Sequence, residues 1–104
     1  LDLLLFGATG FTGRLVAEYL QRTLDPGLRW ALAGRDATRL AQVRDAIGAP
    51  ADLPLRVADA GDAAALAALA REARVVITTV GPYQTHGEAL VTACAEAGTD
   101  YVDL

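Results

Sequence analysis

The chain of 104 residues contains one cysteine, Cys94, and one histidine, His86. That excludes an intramolecular disulfide framework and a zinc site of the Cys/His type. Lysine is absent, so all nine cations are arginines, scattered along the chain against 13 carboxylates for a net charge of −4. Such a balance lacks the clustered basic footprint of a nucleic-acid partner. A Walker A loop, which requires a lysine after its last glycine, is excluded as well. No apolar run approaches the ~20 residues of a membrane span, and no basic segment leads into a signal-type apolar stretch. A reduced, cytoplasmic setting is expected.

What the chain does have is apolar residues, 53% of the total, with 21% charged. A domain of this size buries roughly two-thirds of the surface its unfolded form exposes, so one core forms without staples. Residues 1–104 are therefore read as one domain. The sequence begins at Leu1 within an apolar run and stops at Leu104 within another, and the expectation is an excised N-terminal domain whose substrate-binding partner domain lies beyond Leu104.

Leu1 to Phe6 reads as a buried strand that breaks at Gly7-Ala8-Thr9-Gly10. From Phe11 to Leu24 the residues Leu15, Val16, Tyr19, Leu20 and Leu24 recur at helical spacing, and Asp25-Pro26-Gly27 stops the helix. Leu28 to Ala33 forms a second strand, closed by Gly34-Arg35-Asp36, and Asp36 is placed to cap a helix carrying Leu40, Val43 and Ile47. Leu53 to Ala58, interrupted by Pro54 and Arg56, suits an edge strand. Asp62 caps an alanine-rich helix with Leu66, Leu69 and Ala73 on one face. Arg74 to Val80 is rich in β-branched residues and reads as the strongest strand; a helix over about His86 to Ala97 and a strand over Tyr101 to Leu104 complete the chain. Tyr19 and Trp30 are read as core residues. Strands alternating with helices at this spacing pair in parallel through right-handed crossovers. The expected fold is α/β: a doubly wound parallel sheet of order 3-2-1-4-5 in three αβα layers.

The stretch Gly7-Ala8-Thr9-Gly10-Phe11-Thr12-Gly13 lies between the first strand and the first helix, and this placement makes it a dinucleotide fingerprint of the Rossmann type. A pyrophosphate needs a tight turn, a close backbone approach and free N–H groups at a helix N-terminus. Gly7 makes the turn, Gly10 leaves room for the phosphates, Gly13 lets the helix pack on the strand, and the amides of Phe11 and Thr12 are the phosphate donors. At the end of the second strand an acidic residue accepts from the ribose of NAD, whereas an arginine meets the 2′-phosphate of NADP. Gly34 ends this strand and Arg35 follows, with Arg39 one turn further on as a second cation. The planar guanidinium suits a phosphate, so NADP (NADPH) is the expected cofactor and Asp36 is left as the helix cap. The competing reading gives the ribose to Asp36.

Asp59 and Ala60 close the third strand, where Asp59 either accepts from the adenine amino group or is an ordinary turn aspartate. Val80-Gly81-Pro82-Tyr83 follows the fourth strand at the switch point of the sheet and lines the path to the nicotinamide ribose, with Tyr83 either a wall of the cleft or a packing residue. His86 invites an acid–base role, but with no titratable partner beside it the reading is a surface or capping residue. Cys94 shares a helical face with Leu90, Ala93 and Ala97, and reads as a buried packing thiol. No catalytic residue is assigned.

Together these motifs resemble the saccharopine dehydrogenase-like family. The resemblance rests on Leu4 to Arg14, the Ala33-Gly34-Arg35-Asp36 turn, Gly81-Pro82-Tyr83, Ala93-Cys94, and Gly98-Thr99-Asp100-Tyr101-Val102-Asp103-Leu104. It covers the whole chain and is nearest the branch that includes the trans-acting enoyl reductases. The resemblance implies an NADP-dependent oxidoreductase in which Gly7, Gly10, Gly13 and Arg35 bind the cofactor and a second domain binds a small-molecule or acyl substrate. Hydride then passes to an activated double bond or an imine, and the present chain alone turns nothing over. The glycine turn departs from that of saccharopine-forming enzymes, so the family name is not read as the substrate. The rival reading is a non-catalytic NADP-sensing module. A short-chain dehydrogenase relative would instead need a Tyr-x-x-x-Lys pair beyond Leu104.

Overall fold

Short apolar strands separated by helices satisfy their backbone only by pairing with one another, and the helices then cover both faces of the resulting sheet. The computed structural model describes residues 1–59, 61–79 and 87–103. In chain order the elements are β1 (Leu3–Phe6), α1 (Phe11–Thr23), β2 (Trp30–Gly34), α2 (Ala37–Ala46), β3 (Leu55–Val57), α3 (Ala63–Glu72), β4 (Val75–Thr78), α4 (Gly87–Ala97) and β5 (Asp100–Asp103). The sheet runs β3-β2-β1-β4-β5 with every pair parallel, as expected from the sequence. Central β1 pairs Leu3 with Trp30 on one side and with Val75 on the other.

Alternation along the strands sends side chains into two cores. Leu4 and Phe6, with Ala31, Ala33 and Val76, pack against Leu66, Leu69 and Ala70 of α3 and Leu90, Ala93 and Cys94 of α4. Leu5, Trp30 and Leu32 meet Ala17 and Leu20 of α1 and Leu40 and Val43 of α2. The three-layer arrangement follows. Asp36 and Asp62 cap α2 and α3 as expected, each accepting from a backbone N–H three residues on, at 3.1 Å. Thr99 ties the turn after α4 to the end of α3, donating its hydroxyl to the carbonyls of Ala70 and Ala73.

Several expectations shift. Leu28 is not in β2 and is 43% exposed. The Asp25 carboxylate and carbonyl accept from the amides of Gly27 and Leu28, at 2.8 and 2.9 Å, so the turn extends as far as Leu28. Edge strand β3 is confined to three residues after Pro54. Tyr19, expected in the core, is 58% exposed, and Leu15 is 53% exposed. The buried face of α1 is instead Gly13, Ala17 and Leu20. The helix start lies so close to the β1 turn that only small residues fit beneath it, and this rotates Leu15 and Tyr19 outward. Ala97 is exposed too, leaving Leu90, Ala93 and Cys94 as the inner face of α4.

Candidate functional site

Parallel pairing brings the carboxyl ends of β1, β2, β3 and β4 to one edge of the sheet. At the centre is the β1–α1 turn. Gly7 has φ 89°, a left-handed backbone that side-chain-bearing residues avoid. Gly13 has no room for a side chain: a Cβ there would lie 2.0 Å from the Gly7 oxygen and 2.8 Å from its carbonyl carbon. Gly10 differs from both. Its Cβ would come no nearer than 3.7 Å to the Gly7 oxygen, and its φ of −74° suits any residue. Backbone conformation at 7 and packing at 13 therefore require glycine, whereas neither calls for it at 10.

Gly10 is the N-cap of α1, and neither a side-chain cap nor an acidic residue stands in the first turn. The first helical bond runs from the Arg14 amide to the Gly10 carbonyl at 2.9 Å. The Phe11 and Thr12 amides thus precede the helix's own ladder, on an exposed segment where the Phe11 ring is 84% exposed. An uncapped N-terminus with a clear approach over Gly10 attracts an anion through its N–H groups and the helix dipole. The turn is held from both sides: the amides of Gly7 and Ala8 donate to the Ala33 carbonyl of β2 at 2.9 and 3.3 Å, and Thr79 Oγ1 donates to the Gly7 carbonyl at 3.1 Å. Thr9, half-buried, lies within this turn.

Beside it, the β2–α2 turn carries Arg35. Its side chain is exposed, and among the described residues no hydrogen bond or ion pair engages it. Asp36 is occupied at both oxygens, Oδ1 accepting from the Arg39 amide at 3.1 Å and Oδ2 lying 3.8 Å from Arg39 Nε. Arg39 is thereby partly tethered, though its side chain is 70% exposed. Asp59, exposed after β3, accepts from the Gly61 amide at 2.8 Å while its carbonyl accepts from Asp62 at 2.9 Å, a turn that leads into α3. The remaining residues expected at the site, Ala60, Val80, Gly81, Pro82 and Tyr83, lie outside the described residues, as do His86 and Leu104.

Cys94 is fully buried, and burial raises its thiol pKa above the ordinary value near 9.0, as a packing role requires. Two clefts of about 670 and 710 Å³ open at the amino edge, around Asp2, Arg74 and Asp100 and around Leu24, Trp30 and Pro54. In open α/β sheets ligands sit outside the carboxyl ends of the strands, so the glycine turn and not these clefts marks the site. Among the described residues no group of His, Cys, Asp and Glu is arranged to hold a metal, and no helix is long and apolar enough to cross a membrane. Sequence reasoning missed Thr79, which it read only as a β-branched strand residue; the available signal was a hydroxyl at the carboxyl end of a strand beside the glycine turn.

A parallel sheet of this order, with a glycine turn opening onto an uncapped helix, defines a dinucleotide-binding domain of the Rossmann class. The chain belongs to the saccharopine dehydrogenase NADP binding domain family, whose model matches residues 3–104, and its cofactor is NADP. It is 53% identical to the trans-acting enoyl reductase of Mycobacterium leprae and 52% identical to that of Mycobacterium ulcerans, each over 104 residues, or 99% of this chain. The chain spans 25% of the length of either relative. Among solved structures, the apo saccharopine dehydrogenase (L-Glu forming) of Saccharomyces cerevisiae superposes with a TM-score of 0.79 at 24% identity, over 98% of this chain and 21% of that one, a likeness of fold. An NADPH-dependent quinone oxidoreductase of Escherichia coli, solved with NADPH, matches with a TM-score of 0.75 at 25% identity, over 96% of this chain and 35% of that one.

Proposed function

We propose that the chain holds NADPH across the carboxyl edge of its sheet and, within a longer cytoplasmic oxidoreductase, presents it to a substrate bound by a second domain. The reading rests on the glycine turn, where Gly7 and Gly13 are demanded by the protein's own packing and Gly10 is not. The clear space over Gly10 is then the approach for the pyrophosphate, received by the amides of Phe11 and Thr12, with Thr9 beside them. Arg35 donates to the 2′-phosphate, and Arg39 adds a second positive charge nearby. Asp59 and Ala60 flank the adenine; Val80, Gly81, Pro82 and Tyr83 line the route to the nicotinamide ribose.

Bound NADPH supplies a hydride, and the protein's contribution is position and electrostatics. The similarity to trans-acting enoyl reductases supports an activated double bond as the acceptor, an imine being the other electrophile of this type. Substrate-binding groups belong to the longer protein, so the chain alone binds NADPH and turns nothing over. The test is Gly10→Val. A branched side chain there fits the folded protein but fills the phosphate approach, so NADPH binding falls below detection while the circular dichroism spectrum is retained. NADPH binding equal to wild type in the folded variant would remove the pyrophosphate from this turn.

A further inference from the structure

We infer that Thr79 is a positioning residue for the dinucleotide, its hydroxyl holding the Gly7 carbonyl so that the β1–α1 turn keeps the form that receives a pyrophosphate; this rests on the phosphate-binding reading of the turn. The peptide joining Gly7 to Ala8 is secured at both ends. Its N–H donates to Ala33 at the end of β2, and its carbonyl accepts from the Gly10 amide at 3.2 Å and from Thr79 Oγ1 at 3.1 Å. Glycine imposes little conformational preference of its own, so at Gly7, with φ 89°, these partners set the orientation of the peptide plane. The same oxygen sets the depth of α1, because the missing side chain of Gly13 faces it.

Electrostatics gives this orientation a functional meaning. A carbonyl oxygen carries partial negative charge, and one released near a helix N-terminus competes with an incoming phosphate for the same N–H groups. Tied to Thr79 and Gly10, the Gly7 oxygen is directed into the protein. The strand end is secured independently, because the Thr79 backbone amide donates to the Phe6 carbonyl at 3.2 Å whatever its side chain. Removing the hydroxyl leaves the carbonyl held by the Gly10 amide alone, at 3.2 Å, so the oxygen is freer to turn toward the helix N-terminus while β4 stays paired and the fold stands.

The experiment is fluorescence titration of the chain with NADPH and with NADH for wild type, Thr79→Val and Thr79→Ser. Valine keeps the branched shape and deletes the donor; it weakens both cofactors in parallel, by about three- to tenfold, as expected for one hydrogen bond. Serine keeps the donor and deletes the methyl group, and it binds both cofactors as wild type does. Unchanged affinities in the valine variant, a loss confined to NADPH, or a serine variant as impaired as valine would each overturn the inference. Should the valine variant fail to fold, Thr79→Ala, which also deletes the donor, is read in its place: parallel weakening of both cofactors upholds the hydroxyl's role and wild-type binding overturns it. Gly10→Val separates this inference from the reading beneath it. If Gly10→Val abolishes binding and Thr79→Val leaves it intact, only the role of Thr79 fails; if Gly10→Val also binds normally, the phosphate site itself is elsewhere.

Discussion

Two turns stand side by side on the same sheet edge and are built in opposite ways. The β1–α1 turn is made of backbone, with a left-handed Gly7, a Gly13 pressed against it, and hydrogen bonds to β2 and to Thr79. The β2–α2 turn offers a side chain: Arg35 is exposed, while Asp36 beneath it is taken up by the helix cap and by Arg39. The first arrangement suits the part of a dinucleotide common to both nicotinamide cofactors, since backbone amides receive a pyrophosphate without regard to the ribose. The second suits discrimination, because one substitution there alters charge without disturbing packing. Under the proposed function affinity and preference fall to separate turns, and mutation can separate them.

The largest effect expected is on the first turn. Gly13→Ala drives a methyl group to within 2.0 Å of the Gly7 oxygen, and neither backbone has room to yield. Overpacking of this severity costs about 2–4 kcal/mol, which lowers the melting temperature by roughly 10 °C or more in a domain of this size. Gly10→Val in the same turn loses only the preference of an N-cap for small residues, about 1 kcal/mol, and retains the fold while losing NADPH. Calorimetry of the two variants decides whether the turn's glycines divide between packing and ligand as described. Equal destabilisation would merge the two roles.

Most of the fold was legible because its signals are local. Alternating strands and helices, Asp36 and Asp62 as caps, and Pro54 at a sheet edge each correspond to what the structure contains. The glycine turn was legible for the same reason, since Gly7 and Gly13 meet within a few residues of each other. What could not be read was tertiary. Leu15 and Tyr19 obey helical spacing as well as Leu20 does, and only the closeness of α1 to the sheet decides which of them is buried. Thr79 meets Gly7 across 72 positions of sequence, a distance at which no local pattern operates. Asp59 had two readings in sequence, and the structure gives its carboxylate a partner in the Gly61 amide.

The smallest effect comes from a region remote from both turns. Cys94, buried between α4 and the sheet, has its thiol pKa raised above 9.0 by desolvation. In the unfolded chain the thiol ionises at its ordinary value, so the contribution to stability is complete below about pH 9 and is lost progressively as pH rises toward the folded value. Cys94→Ala is expected to show a shallower alkaline decline in melting temperature than wild type. Its NADPH affinity should stay unchanged at neutral pH, which marks the effects at the two turns as specific. A parallel alkaline decline in both proteins would mean the thiol is more exposed than the packing indicates.

Titrating wild type and Arg35→Ala with NADPH and NADH shows whether one turn binds and its neighbour chooses. Hydrogen bonds to a charged group are worth ~1.5 to 3 kcal/mol, so loss of Arg35 should weaken NADPH by roughly ten- to a hundredfold. NADH lacks the 2′-phosphate and should be nearly unaffected, so the wild-type preference for NADPH collapses in the variant. Part of the lost interaction is Coulombic, and rising salt should weaken NADPH binding more in wild type than in Arg35→Ala. Equal losses for the two cofactors would make Arg35 a structural residue, and a wild-type preference for NADH would return the ribose to Asp36 and contradict the division between the turns.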